Sequence, residues 1–474
     1  MPFSNRTRGA EMALLDAFSR AGNAASAVAE RYIPDAWVVC MVLTAIALVL
    51  AVIGADAAPT EAVTAWGNGM WGLLQITMQF SISVFAAYAC VMSRPGFWLF
   101  DRLARLPNPD KPVQAVLLLA VTTTVTGLLN WALCFVMSAL LIPFVARRNP
   151  KADIRVLCAA AFMGVGTVTN AALSGSAALI MATPDNPMIN PAVGGPIVDR
   201  LYPVTETVFA HFNLLLLVLL SVVSIGAICA LHPRGNTPVV TFDPQRLDAI
   251  MPQPPSVEPE QPTPASWLEN RRFWCYLAGG MVLFTLGYNM ATQGFARAWN
   301  INAYNAVFLG LALLLHGNPL SFVQAVRRGL DSAYGVVLQF PFYGGIFGLM
   351  TGTDLGQWLS DLFVRFSSQE LFPLVVYVYS GIMDFFVPSA GSKWIIEAPY
   401  VIPAARELGV SVTTTLIAYM HGGSLTNLVH PYMAIPIVAI TGVRFGRFAG
   451  YSFMVGVPIG LMMMIAMLFI PPNL

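Results

Sequence analysis

A chain of 474 residues with 57% apolar types, 10% charged residues and a net charge of +1 carries too little charge to be a soluble protein, since soluble domains hold about 25%. A mean hydropathy of +0.67 makes lipid the main solvent, and the near-zero net charge excludes a broad electrostatic surface for nucleic acid. The six cysteines, Cys40, Cys90, Cys134, Cys158, Cys229 and Cys275, stand singly, without the close pairs of metal or dithiol sites, and read as small core residues.

Residues 1–32 form an Arg-containing, Ala-rich amphipathic segment, read as lying at the cytoplasmic membrane surface, with no cleavable signal pattern. Apolar runs near 33–54, 70–92, 208–231, 272–291, 332–352 and 449–470 each reach the roughly 20 residues that cross a hydrocarbon layer. The run at 301–316 becomes a span with its flanks. Three further regions, 111–148, 154–190 and 371–440, are interrupted by Asn130, Thr169, Asn170, Pro184, Asp384, Pro388, Lys393, Glu397, Pro399, Pro403 and Pro431. Polar irregular backbone at membrane depth is tolerated only against protein or water, so these regions are predicted to be re-entrant hairpins and broken helices.

Basic residues orient the elements. Arg6, Arg8, Arg20 and Arg31 precede the first span, and the following loop, about 55–68, has Asp56 and Glu61 but no Lys or Arg, so the N-terminus is placed in the cytoplasm. Arg94, Arg102, Arg105 and Lys111 precede residues 112–146, and Arg147, Arg148, Lys151 and Arg155 follow them. That region is therefore a hairpin with both feet inside and its tip near Asn130, followed by a broken helix at 154–181. Residues 233–271 hold nine prolines among polar residues and are predicted to be an extended cytoplasmic linker. The organisation is then a first membrane repeat over 33–232, the linker, and an extra span with a second repeat over 272–474. The second repeat has a hairpin at 371–405 with external feet and a broken helix at 412–441, which makes its topology inverted.

The duplication is visible in the residues. Phe162-Met163-Gly164-Val165-Gly166-Thr167-Val168-Thr169-Asn170 recurs as Tyr419-Met420-His421-Gly422-Gly423-Ser424-Leu425-Thr426-Asn427, an offset of 257 residues. Gln79-Phe80 is echoed by Gln339-Phe340, and Asn130 by Asp384. Polar, glycine-rich segments repeated in two halves mark transporters built from internal repeats. The fold class is thus an all-α polytopic membrane protein with two inverted repeats, each with a re-entrant hairpin and a broken helix, plus scaffold helices.

The run from Leu338 to Ile346, the run from Phe386 to Trp394, and Pro399-Tyr400-Val401-Ile402-Pro403-Ala404-Ala405, together with Ile33-Pro34-Asp35, Asn130-Trp131 and the run from Ala182 to Pro187, resemble the bacterial short-chain fatty acid transporter family. The resemblance covers nearly all of the chain outside the N-terminal thirty residues and the linker. It implies transport of small monocarboxylates such as acetoacetate or butyrate across the bacterial inner membrane, and kinship with inverted-repeat ion transporters that are homodimers with elevator-like motion. It also implies substrate and sodium sites at hairpin tips and helix breaks, here Asn130, Ser389 to Ser392, Thr169-Asn170 and Thr426-Asn427. One departure is that the family carries a polar or imidazole side chain before Trp in the second hairpin, where this chain has Lys393.

A carboxylate leaving water needs replacement donors, which interrupted helix ends, Ser and Thr hydroxyls and Asn amides supply. The candidate substrate and ion residues are Asn130, Thr169, Asn170, Ser174, Ser389, Gly391, Ser392, Lys393, Thr426 and Asn427, with a possible sodium ion near Asn170 and Asn427. Small residues also serve close helix packing. Lys393 has three readings: an i,i+4 partner of Glu397, an attractor of the substrate anion, or a solvent-facing gate. Asp384, His421 and His430 are candidates for coupling to protons or ions, against readings as a surface carboxylate and packing histidines. Gly-x-Ser-x-Gly, His-Glu-x-x-His and Walker-type patterns do not occur, so the chain is read as no enzyme and as having no cofactor beyond a possible sodium ion. The alternatives to a short-chain fatty acid carrier are a carrier of another small anion such as a dicarboxylate, or a membrane channel. The expected partners are a small carboxylate, a coupling cation, membrane lipid and a second copy of the chain.

Overall fold

A computed structural model of the protein describes residues 36–233, 239–253 and 263–474. The N-terminal segment 1–32, the Ile33-Pro34-Asp35 triplet and parts of the linker lie outside the described residues. All regular elements among the described residues are helical, and six helices are long and apolar enough to cross a membrane.

Two spans are longer than their apolar runs. The stretch 55–68, expected to be a loop, is mostly the helix Pro59–Gly69, which continues through a 3-10 turn, Met70–Leu73, into Leu74–Val91. Pro59 sits in the first turn with its backbone preset for helix, and Glu61 lies at the positive end of the helix dipole. The run at 332–352 is the C-terminal part of a 34-residue helix, Pro319–Gly352, whose first turn is capped by Asn318 accepting from Leu320 N at 2.9 Å. These two long helices meet backbone to backbone. A Cβ on Gly69 would stand 2.4 Å from Gly344 O, and one on Gly348 would stand 2.4 Å from Ala65 O, so the approach requires glycine.

The first hairpin pairs Pro112–Leu129 with Trp131–Arg148, and its turn is Asn130 in an extended conformation. Asn130 Oδ1 accepts from Leu133 N at 2.8 Å, the N-cap bond that a short polar side chain makes and an aliphatic one cannot. The second hairpin pairs Phe372–Asp384 with Ala390–Glu407. The first broken helix runs Ile154–Thr167, turns irregularly, and resumes as Ser176–Ala182; the second runs Val412–Asn427 and resumes as Ile435–Thr441 after a 3-10 turn. Each broken helix presses a glycine onto its hairpin: a Cβ on Gly164 would lie 2.1 Å from Thr123 O, and one on Gly422 would lie 2.3 Å from Tyr377 O.

The linker departs from a uniformly extended chain. Its described part forms two short helices, Pro244–Ile250 and Pro264–Glu269, and Leu247 is buried. It docks on the start of the first broken helix: Ile154 N donates to Val240 O at 2.8 Å, and Val240 N donates to Asp153 Oδ2 at 3.1 Å. Arg246 donates to Gly442 O at 3.0 Å, and Arg147 pairs with Asp248 at 3.2 Å. The driving force is the buried Asp153 carboxylate, which also accepts from Arg155 N at 2.9 Å and pairs with its guanidinium at 2.7 Å; a charge so placed must collect donors. Asp153→Ala is expected to cost about 1–3 kcal/mol, read as a lower thermal midpoint in detergent together with faster proteolysis of the linker. An unchanged midpoint and cleavage rate would contradict this docking role.

Ion pairs and backbone bonds tie the loops in two separate groups. Lys151 pairs with Asp110 at 2.6 Å, and Arg148 and Arg105 both pair with Asp101, holding its carboxyl below the usual carboxylate range, Arg148 foremost. In the second group, Arg406 pairs with Asp199 at 3.9 Å, and Ser411 N donates to Pro472 O at 2.8 Å.

Candidate functional site

The chemistry converges on Lys393, on the second arm of the second hairpin. Its side chain is fully buried, although a solvent-facing gate was one of its readings. The ammonium donates to Ser380 O at 2.7 Å and to Ser380 Oγ at 2.8 Å, lies 3.4 Å from Asp384 Oδ1, and sits 4.8 Å from the centre of the Tyr419 ring. Asp384 is 1% exposed, and its Oδ2 accepts from Thr426 Oγ1 at 3.0 Å. Ser380 and Asp384 are one helical turn apart on the first arm, hence on one face. Stripping two opposite charges of water costs several kcal/mol each, and only close pairing with added hydrogen bonds offsets it. Asp384 is therefore no surface carboxylate. Nor is Lys393 ion-paired with Glu397 as its i,i+4 spacing suggested, because the ammonium reaches across to the opposite arm instead. Glu397 is fully buried, and among the described residues neither of its carboxylate oxygens has a hydrogen-bond partner.

Gly423, on the second broken helix, is the hub. A Cβ there would stand 2.9 Å from Lys393 Nζ, 3.2 Å from Asn170 Nδ2 and 3.6 Å from Asp384 Oδ1. The missing side chain lets an ammonium, an amide N–H2 and a carboxylate from three elements border one patch of backbone. Asn170, from the break in the first broken helix, remains partly exposed. Asn427, one turn beyond Gly423, is 4% exposed, and its Oδ1 has no hydrogen-bond partner among the described residues.

The other predicted residues divide. Thr169 Oγ1 is satisfied within its own helix by Val165 O at 2.9 Å, whereas its counterpart Thr426 holds Asp384. Ser174 Oγ accepts from Trp131 N at 2.9 Å and so fixes the first hairpin's tip, where Asn130 is a buried cap. Ser389 and Ser392 bond one another at 2.7 Å. A Cβ on Gly391 would lie 3.0 Å from the Phe80 ring and 3.2 Å from Ser176 Cβ, so residues 174–176 touch both hairpins. Phe80 in turn faces Phe340 at 5.6 Å between ring centres. His421 points away from Thr426, with Nε2 at 2.8 Å from Asn213 Oδ1, while His430 Nε2 lies 3.2 Å from Phe385 O, just past Asp384. The structure thus joins Asn170, Asp384, Lys393 and Thr426, keeps His430 at the margin, and leaves His421, Asn130 and Thr169 outside.

Ser380 and Tyr419 belong to this cluster although the sequence reading did not place them there, whereas Gly423 was among the glycines expected to let backbone approach the ligand. The signal for the first two was helical spacing, Ser380 one turn before Asp384 and Tyr419 one turn before Gly423. Among the described residues no group of three or more His, Cys, Asp or Glu is placed to hold a metal ion. The arrangement offers one buried cation and one amide donor to an anion, with a resident carboxylate already at the cation.

A profile of the family described as short chain fatty acid transporter matches residues 17–470. A protein of Escherichia coli (strain K12), provisionally named a short-chain fatty acid transporter, is 31% identical over 421 residues, 89% of this chain and 92% of that protein. A protein of Haemophilus influenzae (strain ATCC 51907 / DSM 11121 / KW20 / Rd) with the same provisional name is 29% identical over 433 residues, 91% and 95% of the two chains. The crystal structure of the Alcanivorax borkumensis YdaH transporter, described as having an unusual topology, superposes with a TM-score of 0.57 at 16% identity, covering 92% of this chain and 97% of that one; this is a likeness of fold alone. With a profile match across nearly the whole chain and two relatives that align over about nine-tenths of it, the chain belongs to the short chain fatty acid transporter family, a family of transporters and not of enzymes.

Proposed function

We propose that the protein is a secondary active transporter that carries short-chain fatty acids and related small monocarboxylates, of the acetoacetate or butyrate kind, across the bacterial inner membrane. The carrying observation is the buried Lys393 ammonium beside the Asn170 amide over the bare face of Gly423. A substrate carboxylate takes the place of Asp384 on the ammonium and accepts from Asn170, and the paired rings of Phe80 and Phe340 offer apolar surface for the acyl end. A dicarboxylate would bring two negative charges to a cluster with one ammonium, so a monocarboxylate is the better match.

The contacts support two hairpins entering from opposite membrane faces. The feet of the first meet the basic loops and the linker through Arg147 and Arg148, while the foot of the second meets the 199 region through Arg406. The recurring close approaches, Gly164 on Thr123 and Gly422 on Tyr377, fit inverted repeats. In this reading the basic loops and the N-terminus are cytoplasmic, the hairpins and broken helices move together in an elevator-like step, and the protein is a homodimer. Transport draws on a sodium or proton gradient. A sodium ion as co-substrate has a ready hard acceptor in Asn427 Oδ1, whereas the neighbouring ammonium disfavours one at Asn170.

The test is uptake of labelled acetoacetate and butyrate into proteoliposomes with sodium and proton gradients imposed separately. Asn170→Ala and Asn427→Ala are each expected to lower uptake about 10- to 100-fold, the worth of a hydrogen bond to a charged group, with detergent stability largely retained. Uptake at the parent rate in both variants would remove the pair from the site.

A further inference from the structure

Glu397 plays no part in the substrate site described above, and its position is costly. It lies one helical turn beyond Lys393, is fully buried, and among the described residues neither carboxylate oxygen has a hydrogen-bond partner. The charged and titratable groups within its electrostatic reach are Lys393 and Tyr400 on its own helix, Asp384 and Tyr379 on the first hairpin arm, and Tyr419 on the second broken helix, with His430 beyond Asp384. Lys393 is the only permanent cation among them, and it is committed to Ser380 and Asp384. The two tyrosines next to Glu397 bond each other, Tyr379 Oη to Tyr400 Oη at 2.8 Å, and Tyr379 is only half-buried.

We propose that Glu397 is a proton-binding site that must be loaded before the substrate cluster closes, making transport of the carboxylate proton-coupled. The inference rests on the carboxylate-carrier reading and names its coupling ion. Charge counting gives the reason. Asp384, an ionised Glu397 and a bound carboxylate set three anions against one ammonium at a buried site, an excess that the interior does not tolerate. Protonation of Glu397 removes one of them. An O–H bond forms at one carboxylate oxygen with a proton from water on the side where the site is open, and breaks to water on the other side.

The experiment compares the full-length protein with its E397Q variant in proteoliposomes, using labelled butyrate and subtracting protein-free liposomes for permeation of the neutral acid. Glutamine keeps the shape and stands in for the protonated acid. Expected for the parent is exchange that quickens as pH falls and accumulation driven by an inward proton gradient. E397Q should keep exchange within about threefold of the parent, with a flat pH profile, and should lose gradient-driven accumulation. Accumulation by E397Q at the parent level overturns the proposal. So does accumulation by the parent under a sodium gradient alone, and so does loss of both exchange and accumulation in a monodisperse E397Q protein, which would make Glu397 a structural group. A parent that exchanges no short carboxylate at all refutes the carrier reading itself, and is told apart by that result.

Discussion

Lys393→Met is expected to reduce carboxylate uptake to the protein-free background and to lower the thermal midpoint in detergent at the same time. The substitution removes the one buried cation of the cluster and leaves Asp384, 1% exposed, with Thr426 as its remaining hydrogen-bond donor. Breaking a buried pair by deleting one partner costs about 3–5 kcal/mol. Loss of uptake alone would then be ambiguous, since an unstable protein also fails to transport. The double variant Lys393→Met with Asp384→Asn separates the two effects. It replaces both charges by neutral groups, so most of the thermal midpoint should return while uptake stays at background. Recovery of uptake in the double variant would mean that the pair only holds the hairpin together and that the anion is bound elsewhere.

The second large effect is a contrast between adjacent glycines. At Gly423→Ala the new methyl meets Lys393 Nζ at 2.9 Å and Asn170 Nδ2 at 3.2 Å, the ends of side chains rather than backbone. Alanine also gains about 1 kcal/mol of helix propensity over glycine, so the protein should fold with its stability held while the carboxylate loses its place, raising KM by about tenfold or more. At Gly422→Ala the methyl meets Tyr377 O at 2.3 Å, a backbone carbonyl that cannot turn aside. That variant should give little folded protein. Equal behaviour of the two in yield, thermal midpoint and uptake would remove Gly423 from the site.

Much of the helical architecture was legible because the hydrocarbon layer imposes few rules. Asn130 stood out as a polar residue between two apolar arms, and the chain turns there on a side-chain cap. The helix Pro59–Gly69 was missed because its polar residues carry no hydropathy signal; its order comes from packing of Gly69 against Gly344 and Gly348, which a run of residues does not display. The site was legible in its residue types but not in its pairings. Lys393 and Glu397 are one turn apart, so local spacing favoured their union, yet the buried ammonium had better partners on the other arm of the hairpin. Thr169 and Thr426 are equivalent in the duplication and differ in use, since only the second faces a carboxylate. His421 had an apt position in the sequence, but the helix turns it toward Asn213.

The central claim, that a short carboxylate binds over Gly423 between Lys393 and Asn170, is tested most directly by an experimental structure of the protein with (E)-3-bromoacrylate, a short carboxylate whose vinylic bromine scatters anomalously and cannot be displaced by its own carboxylate. The account predicts a carboxylate at hydrogen-bond distance from Lys393 Nζ, with Asp384 moved off the ammonium and the bromine on the side of Phe80 and Phe340. A bromoacrylate held elsewhere, with the Lys393 to Asp384 pair intact beneath it, would contradict it.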